Sequence, residues 1–270
     1  MRSRRRARGN KDVGQLNAIA SGERRKFAGS SHSSGSEKEK SLCDGCALRN
    51  LPFCSAAMAE TPGATDRPRP RHMTARRRQA LYRKNQRSED VILIREGWAF
   101  RFAVSANGRR HIQAILLPGD LLAAPSLFKD KLGSSVQTLT PLGYCAFDRA
   151  KLWRAIEANP KSMHRIVSLC VEEHERNDEH MVDLVTRTAE ERIVLLVLDL
   201  FGRLGRLGLV EDQSFAFPLT QQHLADAVGL TQVHVNRVLR RLKECDFLGI
   251  SHGRMHIKDL AGLRDIAMAR

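Results

Sequence analysis

No run of about 18 apolar residues occurs in the chain, which excludes an ordinary membrane-spanning helix. The N-terminus, MRSRRRARGNKDVGQLNAIASG, is basic but lacks the apolar stretch of a secretion signal. The expected compartment is therefore the cytoplasm, where thiols stay reduced. Also missing are a glycine-rich phosphate loop, an HExxH pair and a Ser/His/Asp arrangement in recognisable context, which leaves an enzyme reading without support. Acidic residues are absent from positions 67–87, where nine Lys/Arg stand alone, and positions 1–40 hold eleven Lys/Arg against four Asp/Glu. These two stretches concentrate the net charge of +15 and have the character of polyanion contacts or of solvated segments. The first ends in the low-complexity SSHSSGSEKEK and is expected to be a disordered basic tail over residues 1–40.

What is present begins with sulfur. SLCDGCALRNLPFC, residues 41–54, places three of the six cysteines in the spacing C-x₂-C-x₇-C. A zinc ion or an iron–sulfur cluster normally takes four protein donors, so this cysteine loop, residues 41–58, is either incomplete or completed from elsewhere. The other cysteines are Cys145, Cys170 and Cys245. At 270 residues the chain can bury its cores without disulfides. AETPGATDRPRPRH follows, with three prolines that forbid a continuous helix, and residues 59–73 read as a linker, with order expected from about Thr74.

From Val91 the pattern turns to strands. VILI is followed by Trp98, Phe100, Phe102 and Val104 alternating with Ala99, Arg101, Ala103 and Ser105, then Asn107-Gly108, then Ile112, Ala114 and Leu116. An Asn-Gly pair between such runs predicts a hairpin. With the PGD turn at 118–120, VQTLT and GYCAF, this region reads as an antiparallel barrel or roll. From Asp148 helix formers take over, with apolar residues three and four apart, as in Ile166, Leu169 and Cys170, then Met181, Leu184 and Val185. A long connecting helix and a second one opening near Thr188 are predicted.

QQHLADAVGLTQVHVNRVLR, residues 221–240, fits a helix-turn-helix at each demanding position. Ala225 is small where the helices cross, Gly229 supplies the turn, Thr231 caps the second helix, and Val235, Val238, Leu239 and Leu242 form its buried stripe. Gln221, Gln222, Thr231, Gln232, Val233, His234, Asn236, Arg237 and Arg240 are the candidate DNA contacts of the motif. Arg can pair with guanine, and Asn or Gln with adenine. LGISHGRMHI predicts a wing hairpin with His252 at its tip, against the phosphates.

A roll, a long helix and a C-terminal winged helix-turn-helix resemble, in that order, the Crp/Fnr family of bacterial transcription regulators. The resemblance runs from about Thr74 to Leu263 and is carried by GWAFRFAVSANGRRHIQAILLPGDLL, RTAEER at 187–192 and LTQQHLADAVGLTQVHVNRVLRRL. It implies an α+β chain with a sensor roll of the cyclic-nucleotide-binding type over 74–159, a dimerisation helix over 160–186 and a DNA-binding domain over 187–263. The implied partners are double-stranded DNA, a second copy of the chain and RNA polymerase, with no membrane. The fumarate–nitrate regulator branch carries an N-terminal cysteine cluster plus a cysteine on a late barrel strand, which together bind an oxygen-labile [4Fe–4S] cluster. Cys145, in LGYCAFDRAKL, stands at that strand, so the resemblance names Cys43, Cys46, Cys54 and Cys145 as ligands. Cys170 and Cys245 read as buried small hydrophobes.

The chain departs from the branch in lacking a helix between Cys54 and the barrel, and in having Val233 and Asn236 where a Glu and a Ser are usual, with Arg237 kept. The operator is expected to differ accordingly. Cyclic nucleotide is not expected as ligand: Ala123-Ala124-Pro125-Ser126 and Gly133-Ser134-Ser135 offer neither the Glu nor the Arg that holds the phosphate. Three other readings stay open for the cysteines: a zinc site, a thiol switch or no metal at all, or a structural role in a regulator answering to nitric oxide, another small ligand or a partner protein. An iron–sulfur oxidoreductase subunit would have no need of residues 221–257. The seam of the dimer helix is expected at Ile166, Met181 and Leu184, and EEHERNDEH at 172–180, with five acids against one Arg, is expected either to oppose association or to face solvent.

Overall fold

The computed structural model describes residues 43, 45–59, 68–122 and 124–268; the basic tail read over 1–40 lies outside them. Seven strands build the roll: β1 (Arg71–Ala75), β2 (Ala80–Tyr82), β3 (Asp90–Glu96), β4 (Ala99–Val104), β5 (Arg110–Leu116), β6 (Ser135–Thr138) and β7 (Leu142–Asp148). They form two antiparallel sheets, ordered β1-β7-β3 and β2-β6-β4-β5. Between the sheets lies one core, containing Tyr82, Ile92, Ile94, Ala99, Leu116, Leu122 and Val136.

Both outer faces of the roll are covered as well, which explains why VILI is apolar without a break. In β3 the even residues Ile92 and Ile94 point inward, while Val91 and Leu93 join Cys145 and Phe147 in a second core beneath a short helix, α1 (Pro52–Ala57). Helix α2 (Arg149–Glu157) adds Leu152 and Ile156 to it, and α3 (Pro160–Thr186) adds Ile166. On the opposite sheet Trp98, Phe100, Phe102, Ile112 and Ile115 join the core of the C-terminal domain. The alternation in β4 therefore separates two buried faces. Arg101, on the inward-alternating set, is itself buried and ion-pairs with Glu173 of α3.

Helix α3 opens on Pro160 with Asn159 as cap, accepting from the Lys161 and Ser162 amides, and its 27 residues span about 40 Å. Arg187 breaks it in extended geometry, and Thr188 starts α4 (Ala189–Arg206) with a capping box to Glu191. The C-terminal domain continues with β8 (Ser214–Ala216), α5 (Gln221–Val228), α6 (Gln232–Glu244), β9 (Leu248–Ser251), β10 (Arg254–Ile257) and α7 (Leu260–Met268), its sheet ordered β8-β10-β9.

Several expectations need correction. Strand β1 starts at Arg71, inside the stretch read as linker, because its backbone pairs with β7. The cysteine segment is not all loop: Pro52 at the first turn sets up α1, which carries Cys54. The last helix runs past Leu263 to Met268. Ile166 is fully buried against the cysteine helix and Leu184 is half-buried, so neither belongs to an open seam. Cys245 is exposed, standing one residue past α6 and beyond its apolar stripe, while Cys170 is half-buried against the second core.

Candidate functional site: a thiol cluster and a nucleic-acid interface

Strand register builds the first site. Cys145 on β7 stands opposite His72 on β1, and the two side chains meet with Sγ 3.5 Å from Nδ1. The other ring nitrogen of His72 lies 3.7 Å from Cys43 Sγ, so one imidazole connects the N-terminal thiol segment to the late strand. Helix α1 brings Cys54 to the same place. Phe53 anchors it edge-to-face on Phe147 at 5.5 Å, and Ala56 and Ala57 are small enough to let it approach α3. There Ser162 Oγ donates to the Ala56 carbonyl at 2.9 Å and Arg165 Nη1 to Ser55 Oγ at 3.0 Å. Leu51, which precedes α1, covers the PGD turn, where a Cβ on Gly119 (φ +91°) would strike its side chain.

Burial pushes the Cys54 thiol up to about 12, with Cys145, Cys46 and Cys43 adding to the shift in that order. Cys145 is pushed up to about 12 by burial, then by Cys43 and Cys46, with Arg95 acting against them. The Cys54 thiol thus feels Cys145, Cys46 and Cys43, and the Cys145 thiol feels Cys43 and Cys46, so gathering thiolates here is unfavourable unless a cation compensates them. The residues present fit an iron–sulfur cluster in donor type and number. Among the described residues no group of three His, Cys, Asp or Glu side chains is placed to hold a metal ion. His72 had escaped sequence reading, since no motif contains it and only the register of β1 on β7 reveals it.

The second site is the helix-turn-helix. Thr220 and His223 form a capping box at the start of α5; Gly229 closes it at φ +68°, which a side chain would strain; and the Thr231 hydroxyl accepts from the His234 amide to start α6. Val235, Val238, Leu239 and Leu242 are buried as a stripe. Gln232, Val233, His234, Asn236, Arg237 and Arg240 are exposed, Val233 to 71%. Gln221 Nε2 donates to Asn236 Oδ1 at 3.3 Å, and Arg240 pairs with Glu244 at 3.5 Å on the surface. Gln222 is turned back onto Asp226, at 2.7 Å. His252 lies exposed at the tip of the β9–β10 hairpin with φ +49°. The arrangement is a winged helix-turn-helix whose second helix leaves a polar face exposed.

The two domains are locked together through α5. Arg110 on β5 donates to Asp226 Oδ2 from Nε and Nη2, at 2.7 and 2.6 Å, and His111 Nδ1 donates to the Asp226 carbonyl at 3.0 Å. The Arg110 guanidinium also covers the Phe100 ring, 5.1 Å from its centroid, and His223 packs on the same ring. Burial pushes the His223 imidazole down to about 4, helped by Arg110 and opposed by Asp226. Its folded-state value lies below the ordinary 6.5, so acidification protonates the unfolded chain first. Stability is therefore expected to be intact above about 6.5 and to fall as the pH drops towards about 4. Thermal melts across that window should show the loss and His223→Gln should flatten it; parallel curves would remove His223 as its source.

Comparison with known proteins gives concordant results. Residues 72–159 match the Cyclic nucleotide-binding domain, and residues 191–266 match the Crp-like helix-turn-helix domain. The chain belongs to the Crp/Fnr family. Among its relatives in that family, the nitrogen fixation regulation protein FixK of Bradyrhizobium diazoefficiens is 27% identical over 229 residues, 84% of this chain and 94% of FixK. The transcriptional activator protein FnrL of Cereibacter sphaeroides is 24% identical over 218 residues, 80% of this chain and 86% of FnrL. The structure of FixK2 from Bradyrhizobium japonicum superposes with a TM-score of 0.68 at 21% identity, covering 74% of this chain and 98% of that one, a likeness of fold. Family members act as dimers, and this one is a DNA-binding transcription regulator and not an enzyme. None of the helices among the described residues is long and apolar enough to cross a membrane.

Proposed function

We propose that this Crp/Fnr regulator senses oxygen or redox state through a [4Fe–4S] cluster held by Cys43, Cys46, Cys54 and Cys145, and that the state of this site governs dimerisation and operator binding. The observation that carries the reading is the convergence of the N-terminal thiol segment on Cys145: His72, opposite Cys145 on β1, touches both Cys145 and Cys43, and α1 with Cys54 packs on the start of α3. What an iron–sulfur cluster supplies when bound is a set of iron–thiolate bonds whose survival depends on redox state and solvent access. A bare thiol switch fits less well, because Cys54 and Cys145 are held protonated and protonated thiols react slowly.

The route to the dimer runs through this chain's own contacts. Val167, Val171, His174, Asp178, Met181 and Val185 all lie exposed on α3, spaced four, three, four, three and four apart, the repeat of a two-helix seam. Only His174 and Asp178, themselves paired at 3.6 Å, interrupt its apolar character, and Glu173 is turned away onto Arg101. Ser162, Arg165 and Ile166, which seat α1, occupy the turn just before Val167. Displacement of α1 would therefore disturb the start of the seam, and an operator read by two half-sites needs both copies.

Full-length protein purified without oxygen should contain iron and acid-labile sulfide, with a visible absorption that air destroys. Cys145→Ser should lose most of both, and Cys170→Ser should keep them. Full iron and sulfide in the Cys145→Ser protein would sink the assignment.

A further inference from the structure

We propose that a clamp on the last turn of α5, made by His111, His180 and Arg192, sets the spacing between DNA half-sites that a dimer of this protein accepts. These are positioning residues, acting through α5 on α6. The clamp's role rests on α3 as the dimer seam and on α6 as the helix that enters the groove, and is independent of what the cysteines hold.

A helix leaves its last four carbonyls without partners inside it. In α5 they belong to Ala225, Asp226, Ala227 and Val228. The Ala225 carbonyl accepts from the amides of Gly229 and Leu230, the latter at 3.1 Å, so the turn itself satisfies it. Each of the other three is met by a side chain from a different element. His111 of β5 bonds the Asp226 carbonyl at 3.0 Å, His180 of α3 hydrogen-bonds the Ala227 backbone, and Arg192 Nη1 of α4 donates to the Val228 carbonyl at 3.0 Å. The two imidazoles are stacked, their planes 9° apart and their centroids separated by 6.2 Å. The Arg192 guanidinium also sets a fixed positive charge at the negative end of the helix dipole.

This clamp bridges the joint of the chain. Helix α3 ends where Arg187 turns extended, and Arg187 and Thr188 alone connect it to α4. From one turn inside α4, Arg192 Nη1 reaches back over that joint to the Leu184 carbonyl at 3.3 Å, as well as across to Val228. His180 ties α5 to α3 directly, and His111 ties it to the roll. Only Gly229, Leu230 and Thr231 separate α5 from α6, and the two helices share one core. Gly229 lies against the clamp: a Cβ there would stand 3.5 Å from Leu184 Cδ2 and 3.7 Å from Arg192 Nη1. Helix α6 is thereby fixed to α3 with no free joint between them. One base pair added between two half-sites moves them about 3.4 Å apart and turns one against the other by about 35°. Arms fixed in this way cannot follow such a change, whereas arms hinged at Arg187 can.

The test uses full-length protein purified without oxygen and the two-fold operator recovered by selection from random DNA. Its selected spacing is compared with spacings one base pair shorter and one longer, and with a single half-site. His180→Leu/Arg192→Leu removes two of the clamping donors, and His180→Gln/Arg192→Lys keeps a donor at each place. The parent should bind the selected spacing at least about tenfold more tightly than either altered one, the worth of one charge-assisted bond. The leucine variant should bind all three spacings within about threefold of one another, having lost affinity mainly at the selected one. On the half-site it should match the parent, which also shows that its winged helix folds. The donor-keeping variant should retain the parent's preference. His180→Leu alone, a milder change for a leucine pair that fails to fold, should shrink the preference in the same direction. A parent indifferent to spacing, leucine variants that keep the full preference, or equal losses on every duplex would overturn the proposal. A parent that binds one half-site as tightly as the full operator would instead remove the dimer on which it rests.

Discussion

Asp226→Ala is expected to weaken the docking of the C-terminal domain on the roll by about 3–5 kcal/mol, the cost of leaving one partner of a buried ion pair uncompensated. The side chains of Arg110 and Asp226 are only 15% and 11% exposed, so little solvent is at hand to replace the lost carboxylate. Both carboxylate oxygens are in use, Oδ2 by Arg110 and Oδ1 by Gln222. In the variant the Arg110 guanidinium keeps the face of Phe100, a weaker partner by itself. Denaturant unfolding of Asp226→Ala, Arg110→Ala and the double variant separates the terms: the double variant should lose much less than the sum of the singles. A single Asp226→Ala shift within about 0.5 kcal/mol, as for a surface change, would mean that the lock contributes nothing.

Phe53→Ala should release the cysteine helix. Phe53 is 2% exposed and buries its ring against Phe147 in a core shared with Cys145, Leu152 and Ile166. Truncating a buried phenylalanine costs about 3–5 kcal/mol, and here the cost falls largely on the attachment of α1, whose other anchors include two side-chain hydrogen bonds and two alanines. Cys54 should then be labelled by a thiol reagent about a hundredfold faster or more in cluster-free protein, because each 1.4 kcal/mol is tenfold in the opening equilibrium. Cys245, exposed at the end of α6, is the internal reference and should react at an unchanged rate. Equal Cys54 reactivity in parent and variant would show that Phe53 does not hold the helix.

The helix-turn-helix was readable in full from its residues because its determinants are local. Thr220 and Thr231 cap their helices within three residues, Gly229 meets its own backbone requirement, and a period of 3.6 assigns Val235, Val238, Leu239 and Leu242 to one face. The Asn107-Gly108 hairpin, the long α3 and the opening of α4 at Thr188 follow from the same short-range chemistry. The cysteine spacing drew attention to residues 43–54 and, through the family resemblance, to Cys145.

Periodicity, however, identifies an apolar face without saying what covers it. Ile166 and Val167 are neighbours in one helical pattern, yet Ile166 is fully buried beneath α1 and Val167 is exposed. Phe100 and Ala99 alternate in one strand, and one belongs to the core of the C-terminal domain while the other lies inside the roll. His72 reaches Cys145 only because β1 pairs with β7 in one register, across 73 residues of chain. Arg110 finds Asp226 over 116 residues, when α5 docks on β5. Local residue chemistry thus determined which elements form and where the helix-turn-helix lies. Long-range packing alone decided which faces meet, because such contacts depend on how separate elements come together and leave no trace in the spacing of neighbours.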